Sequence, residues 1–311
     1  MKTRYFNQIE VKDGMVHKTS RDQNKLKAEY NWLSEVNRIR PELSRYIPRG
    51  LSFHEGKETS ELTMKYYPEG DLGQEYLKEA DDSQVQKTIG DCIRVLKDIF
   101  SIGVTTPNSS VVLSLMKVYV SKTIDRLMNN PFRSYNLNIN GKDYERVLSA
   151  RRIKKLVDRC ISLAFSCPYV CLIHGDFFFS NILRDGEGFK VIDPRGDFGG
   201  LSIYGDPRYD LAKLRHSING GYDYIINEEY TLKASEDEHT VTLTIPFKSD
   251  VEKNTEFFDD LVTKEFGFEI EDIKLIEALL FLTMIPLHSD DRKRQLAFMS
   301  IAQIKLEECG I

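Results

Sequence analysis

Residues 171–196 constrain this chain more than any other stretch. An apolar run, 169–173, enters His174-Gly175-Asp176. Asn181 follows five residues after Asp176, and a second apolar run, 189–192, delivers Asp193. Between them Arg184-Asp185-Gly186-Glu187-Gly188 has the composition of a turn closing a hairpin. The order is strand, polar loop, short strand, turn, strand, Asp. It gathers three oxygen-bearing side chains at one end of a small sheet.

Phosphoryl transfer needs such a set. One carboxylate orients or deprotonates the attacking hydroxyl, while an amide oxygen and a second carboxylate hold Mg²⁺ against the phosphates of ATP. The spacing H-x-D-x-x-x-x-N, followed by a hydrophobic-Asp step, matches the kinase catalytic loop and its metal-binding Asp. With His-Gly-Asp and Ile192-Asp193 in place of H-R-D and D-F-G, the stretch resembles the aminoglycoside phosphotransferase and choline kinase family. Ile192-Asp193-Pro194-Arg195-Gly196 is most similar to bacterial members linked to capsule or surface-polysaccharide synthesis. The resemblance implies that Asp176 is the catalytic base and that Asn181 and Asp193 are Mg²⁺ ligands. It implies supporting roles for His174 in the loop and for Asp210, a helix Asp in a D-L-A context that braces the loop from below.

Towards the N-terminus, 5–11 and 15–19 flank Lys12-Asp13-Gly14, a hairpin with an Asp-Gly turn. Lys18 ends the second strand, and Ser20-Arg21-Asp22 suits the start of a helix over 23–38. Leu26, Leu33 and Val36 mark its buried face, and Glu29 shares that face while Glu35 does not. A buried acid needs a partner, and Lys18 is at hand. In kinases a strand Lys contacts ATP phosphates and a helix Glu holds it; Lys18 and Glu29 match those roles. No G-x-G-x-x-G is present, and only about 14 residues precede the Lys18 strand, so either the Asp13-Gly14 hairpin is the only one or the first strand has been lost.

Strands are expected at 51–55 and 61–66 around a Gly56-Lys57 turn. The run through Met64-Lys65-Tyr66-Tyr67-Pro68 resembles the hinge between kinase lobes. That implies adenine contacts from the backbone of Lys65, Tyr66 and Tyr67, with Met64 lining the pocket. Helices follow at 83–103, capped by Ser83, and at 111–128 and 143–165. Arg151-Arg152 and Lys154-Lys155 read as a solvated basic face, and Phe177-Phe178-Phe179 as packing beneath the loop. Asp206-Pro207 starts a helix. Arg195 and Arg208 either hold an anionic substrate group or pair with nearby carboxylates, and pairing is the simpler expectation. Residues 229–247 alternate as a hairpin with an acidic turn: a cover for the acceptor cleft, an interface or a decoration. Helices at 249–266, 271–285 and 290–309 finish the chain, with Pro286 breaking the last two apart.

At 311 residues the chain has room for a small and a large unit, and a net charge of −5 gives no general attraction to nucleic acid. The densest apolar run, 278–285, is too short to span a bilayer. Five Cys without framework or metal spacing, and a polar N-terminus, lead us to expect reduced thiols and a cytoplasmic location. The resulting expectation is an α+β, two-lobed protein-kinase-like fold: a β-rich N-lobe over 1–67 and a helical C-lobe over 68–311. Its function would be ATP- and Mg²⁺-dependent phosphorylation of a hydroxyl on a small molecule, a sugar or amino alcohol. Asp210 lies only 17 positions after Asp193 and no A-P-E follows, which disfavours a peptide acceptor. A catalytically silent nucleotide-binding scaffold and nucleotidyl transfer to protein are the alternatives. The sequence leaves the acceptor and the oligomeric state open.

Overall fold

The computed structural model describes residues 7–311. Strands β1 (Asn7–Lys12), β2 (Met15–Ser20), β3 (Ser52–Glu55) and β4 (Ser60–Lys65) form an antiparallel sheet in the order β1-β2-β4-β3. Asp13 and Gly14 both take positive φ, the geometry a two-residue hairpin turn demands. The expected beginning of the first strand, at Tyr5, lies outside the described residues. Helix α1 (Gln23–Ile39) starts at Asp22, whose carboxylate accepts a hydrogen bond from Lys25 N. Leu26, Trp32, Leu33 and Val36 are buried, and they join Leu62 and Met64 of β4 in one core.

The rest is mostly helical. Helices α2 (Leu72–Tyr76) and α3 (Asp82–Phe100) come first. The cap of α3 is Asp81 rather than Ser83: its Oδ1 accepts from Ser83 N at 2.8 Å. The helix expected at 111–128 is α4 (Ser109–Met116) and α5 (Lys122–Met128), joined without a break by a π turn over Lys117–Ser121. The helix expected at 143–165 is shorter. Its first residues belong to a hairpin of β5 (Leu137–Ile139) and β6 (Lys142–Tyr144), and α6 spans Ala150–Phe165. Asn140 and Gly141, both at positive φ, make that turn.

Strand β7 (Cys171–Leu172) leads into the loop, and β8 (Ile182–Asp185) and β9 (Gly188–Val191) form the expected hairpin beyond it. Strand β10 (Tyr204–Gly205) pairs with β7, and α7 (Pro207–Ile218) follows. After α8 (Tyr222–Ile226), β11 (Thr231–Ala234) and β12 (Thr240–Thr244) form the alternating hairpin. Strand β12 pairs in parallel with β5, which gives a second four-stranded sheet, β11-β12-β5-β6. Helices α9 (Val251–Phe266), α10 (Ile270–Met284) and α11 (Arg292–Glu308) close the chain, and Pro286 sits in the 3₁₀ turn between the last two. Among the described residues no helix is long and apolar enough to cross a membrane.

Candidate active site

The site forms where the turn after β7, the end of β9 and the first sheet meet. Ile192 N donates to Asn181 O at 3.0 Å, and Arg195 N donates to His174 O at 2.9 Å, so the two loops lie side by side. Gly175 has φ +79, and a Cβ there would fall 2.8 Å from Arg195 Cβ; only glycine suits both the backbone and the approach. Gly196 does the same for α1: a Cβ would meet Ala28 O at 2.3 Å. That close approach carries Glu29, the next residue of α1, to Asp193.

Lys18 joins the two sides. Its Nζ lies 2.7 Å from Glu29 Oε2 and 2.7 Å from Asp193 Oδ1. Lys18 and Glu29 are buried, whereas Asp193 is partly open to solvent. Burial works against the Lys18 ammonium, but the two carboxylates outweigh it and hold the Lys18 pKa above its ordinary value. Burial, with Asp193 adding to it, pushes Glu29 up to about 8 against the pull of Lys18. Burial also opposes the charge on Asp193, yet Lys18 brings that carboxyl below its usual range. Asp193 adopts φ 58, a left-handed conformation uncommon outside glycine.

Asp176 and Asn181 share the loop. Asn181 Nδ2 donates to Asp176 O at 2.9 Å, which fixes the amide and turns its oxygen the other way. Asp210, buried on α7, accepts from His174 N and Gly175 N, each at 2.7 Å. Both loop amides therefore end on one carboxylate, and burial pushes Asp210 up to about 7 in spite of them. His174 is buried against Trp32 and Phe177, and burial brings it down to about 4, so it is neutral near pH 7. All three residues of the 177–179 aromatic run are buried.

A family sequence model described as the phosphotransferase enzyme family, APH, matches residues 4–230. The chain belongs to that family. One solved structure shares the fold. Choline kinase LicA from Streptococcus pneumoniae superposes with a TM-score of 0.50 at 11% identity, over 99% of this chain and 92% of that one. An aminoglycoside phosphotransferase from Streptomyces rimosus, solved with ADP and streptomycin, gives a TM-score of 0.48 at 15% identity, over 87% of each chain. No curated protein sequence matches. The α+β kinase-like architecture read from the sequence is the architecture found.

The hinge expectation is narrowed by the hydrogen bonds. Lys65 N donates to Arg49 O and Tyr66 N to Gly14 O, each at 2.8 Å. Of the three amides expected to face adenine, only that of Tyr67 has no such bond among the described residues. Met64 and Tyr67 are buried and Tyr66 is exposed. The Tyr66 bond also shows that the Asp13-Gly14 turn sits at the hinge end of β2, away from Lys18, so this hairpin does not cover the Lys18 end. Arg208 pairs with Asp206 at 2.7 Å and with Asp272 at 2.5 Å, as expected; burial works against the Arg195 guanidinium, but Tyr209, Asp176 and Asp210 together hold it above its ordinary range. In the basic stretch Arg152 departs from a solvated face: it is buried and donates to Gln303 Oε1 at 2.7 Å.

The sequence reading missed Lys213. Its buried Nζ lies 2.8 Å from Asp176 Oδ1. The signal was available, since Lys213 follows Asp210 by three on one helix and shares its face. Trp32 was missed too; its indole N–H donates to Ile173 O at 2.7 Å and ties α1 to the start of the loop.

Proposed function

We propose that the protein transfers the γ-phosphoryl group of ATP to a hydroxyl of a small molecule. The observation that carries this reading is Lys18 bridging Glu29 and Asp193 across two loops, beside a braced Asp176. An ammonium held between two carboxylates at a partly open cleft suits polyphosphate binding better than structural pairing. Asp176 would accept the hydroxyl proton as the acceptor oxygen bonds to the γ-phosphorus. The bond from that phosphorus to the β–γ bridging oxygen breaks, and ADP leaves with the electron pair. Tyr67 N–H is the adenine donor in this scheme, with Met64 against the ring.

The donor set fits Mg²⁺. Among the described residues no group of three or more His, Cys, Asp or Glu side chains forms a metal cage. Mg²⁺ needs none: it keeps waters and takes one or two carboxylates plus substrate phosphate oxygens. Asp193, partly exposed, and the amide oxygen of Asn181 would hold it. When bound, it supplies neutralisation of phosphate charge.

The similarity of residues 192–196 to capsule-linked family members makes sugars and amino alcohols the first acceptors to try. A metabolite extract incubated with protein, ATP and Mg²⁺ and read by mass spectrometry tests the proposal. A metabolite that gains the mass of one phosphate group supports it. A gain of nucleotide mass, on a metabolite or on the protein, overturns it, and ATP binding without turnover on any acceptor leaves a silent nucleotide-binding scaffold.

A further inference from the structure

The peptide between Ile173 and His174, where β7 runs out into the loop, is held at both of its polar ends by side chains. Its N–H donates to Asp210 of α7 at 2.7 Å, and its carbonyl accepts from the indole N–H of Trp32 on α1, also at 2.7 Å. The neighbouring groups are taken as well. Ile173 N donates to Ile203 O at 3.1 Å, Gly175 N donates to Asp210 at 2.7 Å, and His174 O accepts from Arg195 N at 2.9 Å. Of these partners Trp32 alone precedes the loop in the chain; the others follow it.

Packing does not require this residue type. Trp32 is buried, and a Phe or Leu would fill much of the same space. What an apolar side chain lacks is a donor for a carbonyl enclosed away from water, and the indole supplies one N–H. The ring serves the loop a second time. It stands edge-on to His174, with centroids 5.4 Å apart, and His174 Nδ1 accepts from Asp176 N at 3.3 Å. Trp32 therefore bears on the entry to the turn and, through His174, on the backbone of Asp176.

The place of Trp32 on α1 decides what the contact does. Glu29 precedes it by three positions on the same buried face, a rise of about 4.5 Å along the helix axis. Lys18 donates to both Glu29 and Asp193, and Ala28 lies against Gly196. Consecutive turns of one helix thus touch both loops: Ala28 and Glu29 serve the Asp193 loop, and Trp32 serves the Asp176 loop. In-line transfer depends on that separation, since a misplacement of about 1 Å costs roughly 10²-fold in rate. Building on the phosphotransferase reading, we propose that Trp32 is a positioning residue for the transfer: through its indole N–H, α1 sets the place of Asp176 relative to the Lys18–Asp193 pair.

Trp32 is the only tryptophan of the chain, so an auxotroph grown on benzothienylalanine exchanges this one N–H for sulfur and keeps the shape of the ring. Fluorotryptophan, which retains the N–H, controls for incorporation, and Trp32→Phe is the second variant. The activity read is Mg²⁺-dependent hydrolysis of labelled ATP, with water as the acceptor. Benzothienylalanine and Trp32→Phe should each lower kcat by about tenfold or more, with KM for ATP and calorimetric ATP affinity unchanged within about twofold; fluorotryptophan should behave as wild type. A residue that only fills the core would lower Tm and leave kcat of the folded protein as it was, and that result overturns the proposal. So does a rise in KM at constant kcat. A second measurement needs no activity. Amide hydrogen exchange at His174 and Gly175 should quicken by about tenfold or more without the N–H, while the amides of α10 keep their protection. If the loop amides stay protected, or all amides lose protection alike, the positioning role is refuted whatever the activity. Loss of the kinase reading looks different, as an absence of ATP binding and turnover in the wild type with the exchange effect intact.

Discussion

Glu29→Gln separates two descriptions of the Lys18 cluster. Glu29 is buried, its Oε1 has no hydrogen-bond partner, and it competes with Asp193 for one ammonium. Burial pushes its carboxyl up to about 8, from 4.5 for a free one. The folded chain therefore keeps the proton after the unfolded chain has lost it. Stability falls as pH rises from about 4.5 towards 8, with a slope near 1.4 kcal/mol per pH unit at full effect. Between pH 5 and pH 7 the wild type should lose roughly 2.5 kcal/mol that the Gln variant, which has nothing to titrate there, keeps. For a chain of 311 residues that is about 4 °C in Tm. Urea unfolding of both proteins at pH 5, 6 and 7 measures it. If the difference between them stays constant within about 0.5 kcal/mol, Glu29 is ionised throughout and the reasoning fails.

Two further outcomes follow from the same geometry. Asp176→Asn should lower the single-turnover rate by roughly 10²- to 10⁴-fold with ATP–Mg²⁺ affinity little changed, whereas Asp193→Asn should lose Mg²⁺-dependent nucleotide binding as well; calorimetric titration with and without Mg²⁺ reads both, and the reverse pattern refutes the assignment. His174 is brought down to about 4 by burial, so its stabilisation is complete above pH 6.5 and is lost as pH falls to 4; this amounts to about 3 kcal/mol, and His174→Phe should flatten the acid limb of the unfolding curve by that much or the histidine is not held neutral.

The parts of the site that could be read from the sequence are those whose geometry is local. His174, Asp176 and Asn181 lie on one turn, and a hairpin of fixed length returns Asp193 to it, so spacing alone brings them together. Lys18 and Glu29 could be matched because a strand leads straight into an amphipathic helix. The bond from Lys18 to Asp193 crosses 175 positions and depends on how α1 packs at Gly196, which no local pattern records. The same holds for Arg195 and Tyr209, whose meeting depends on the docking of α7. The Asn140-Gly141 turn is different: Asn-Gly is among the strongest short-range hairpin marks, yet the helical period of α6 runs back through 143–149 and masks it.

Each of the two carboxylates in the proposed chemistry has a lysine of its own: Lys18 on Asp193 and Lys213 on Asp176. The lysines differ in what else they hold. Lys18 has a second oxygen partner, the Glu29 carboxyl, at the same 2.7 Å, so it can release Asp193 and remain hydrogen-bonded. On the proposed reaction, loading nucleotide is then an exchange: the ammonium passes from Asp193 to a phosphate oxygen while Glu29 fixes its position, and Asp193 is freed towards the metal. Little net charge is desolvated in that exchange, which keeps its cost low. Lys213 is buried, and among the described residues its ion-pair partner is Asp176. It therefore stays in place and orients the carboxylate that must meet the acceptor. This accounts for an ion pair on the proposed base: the residue that has to receive a proton is held in one rotamer, and the residue that has to bind metal is held by a partner able to let go.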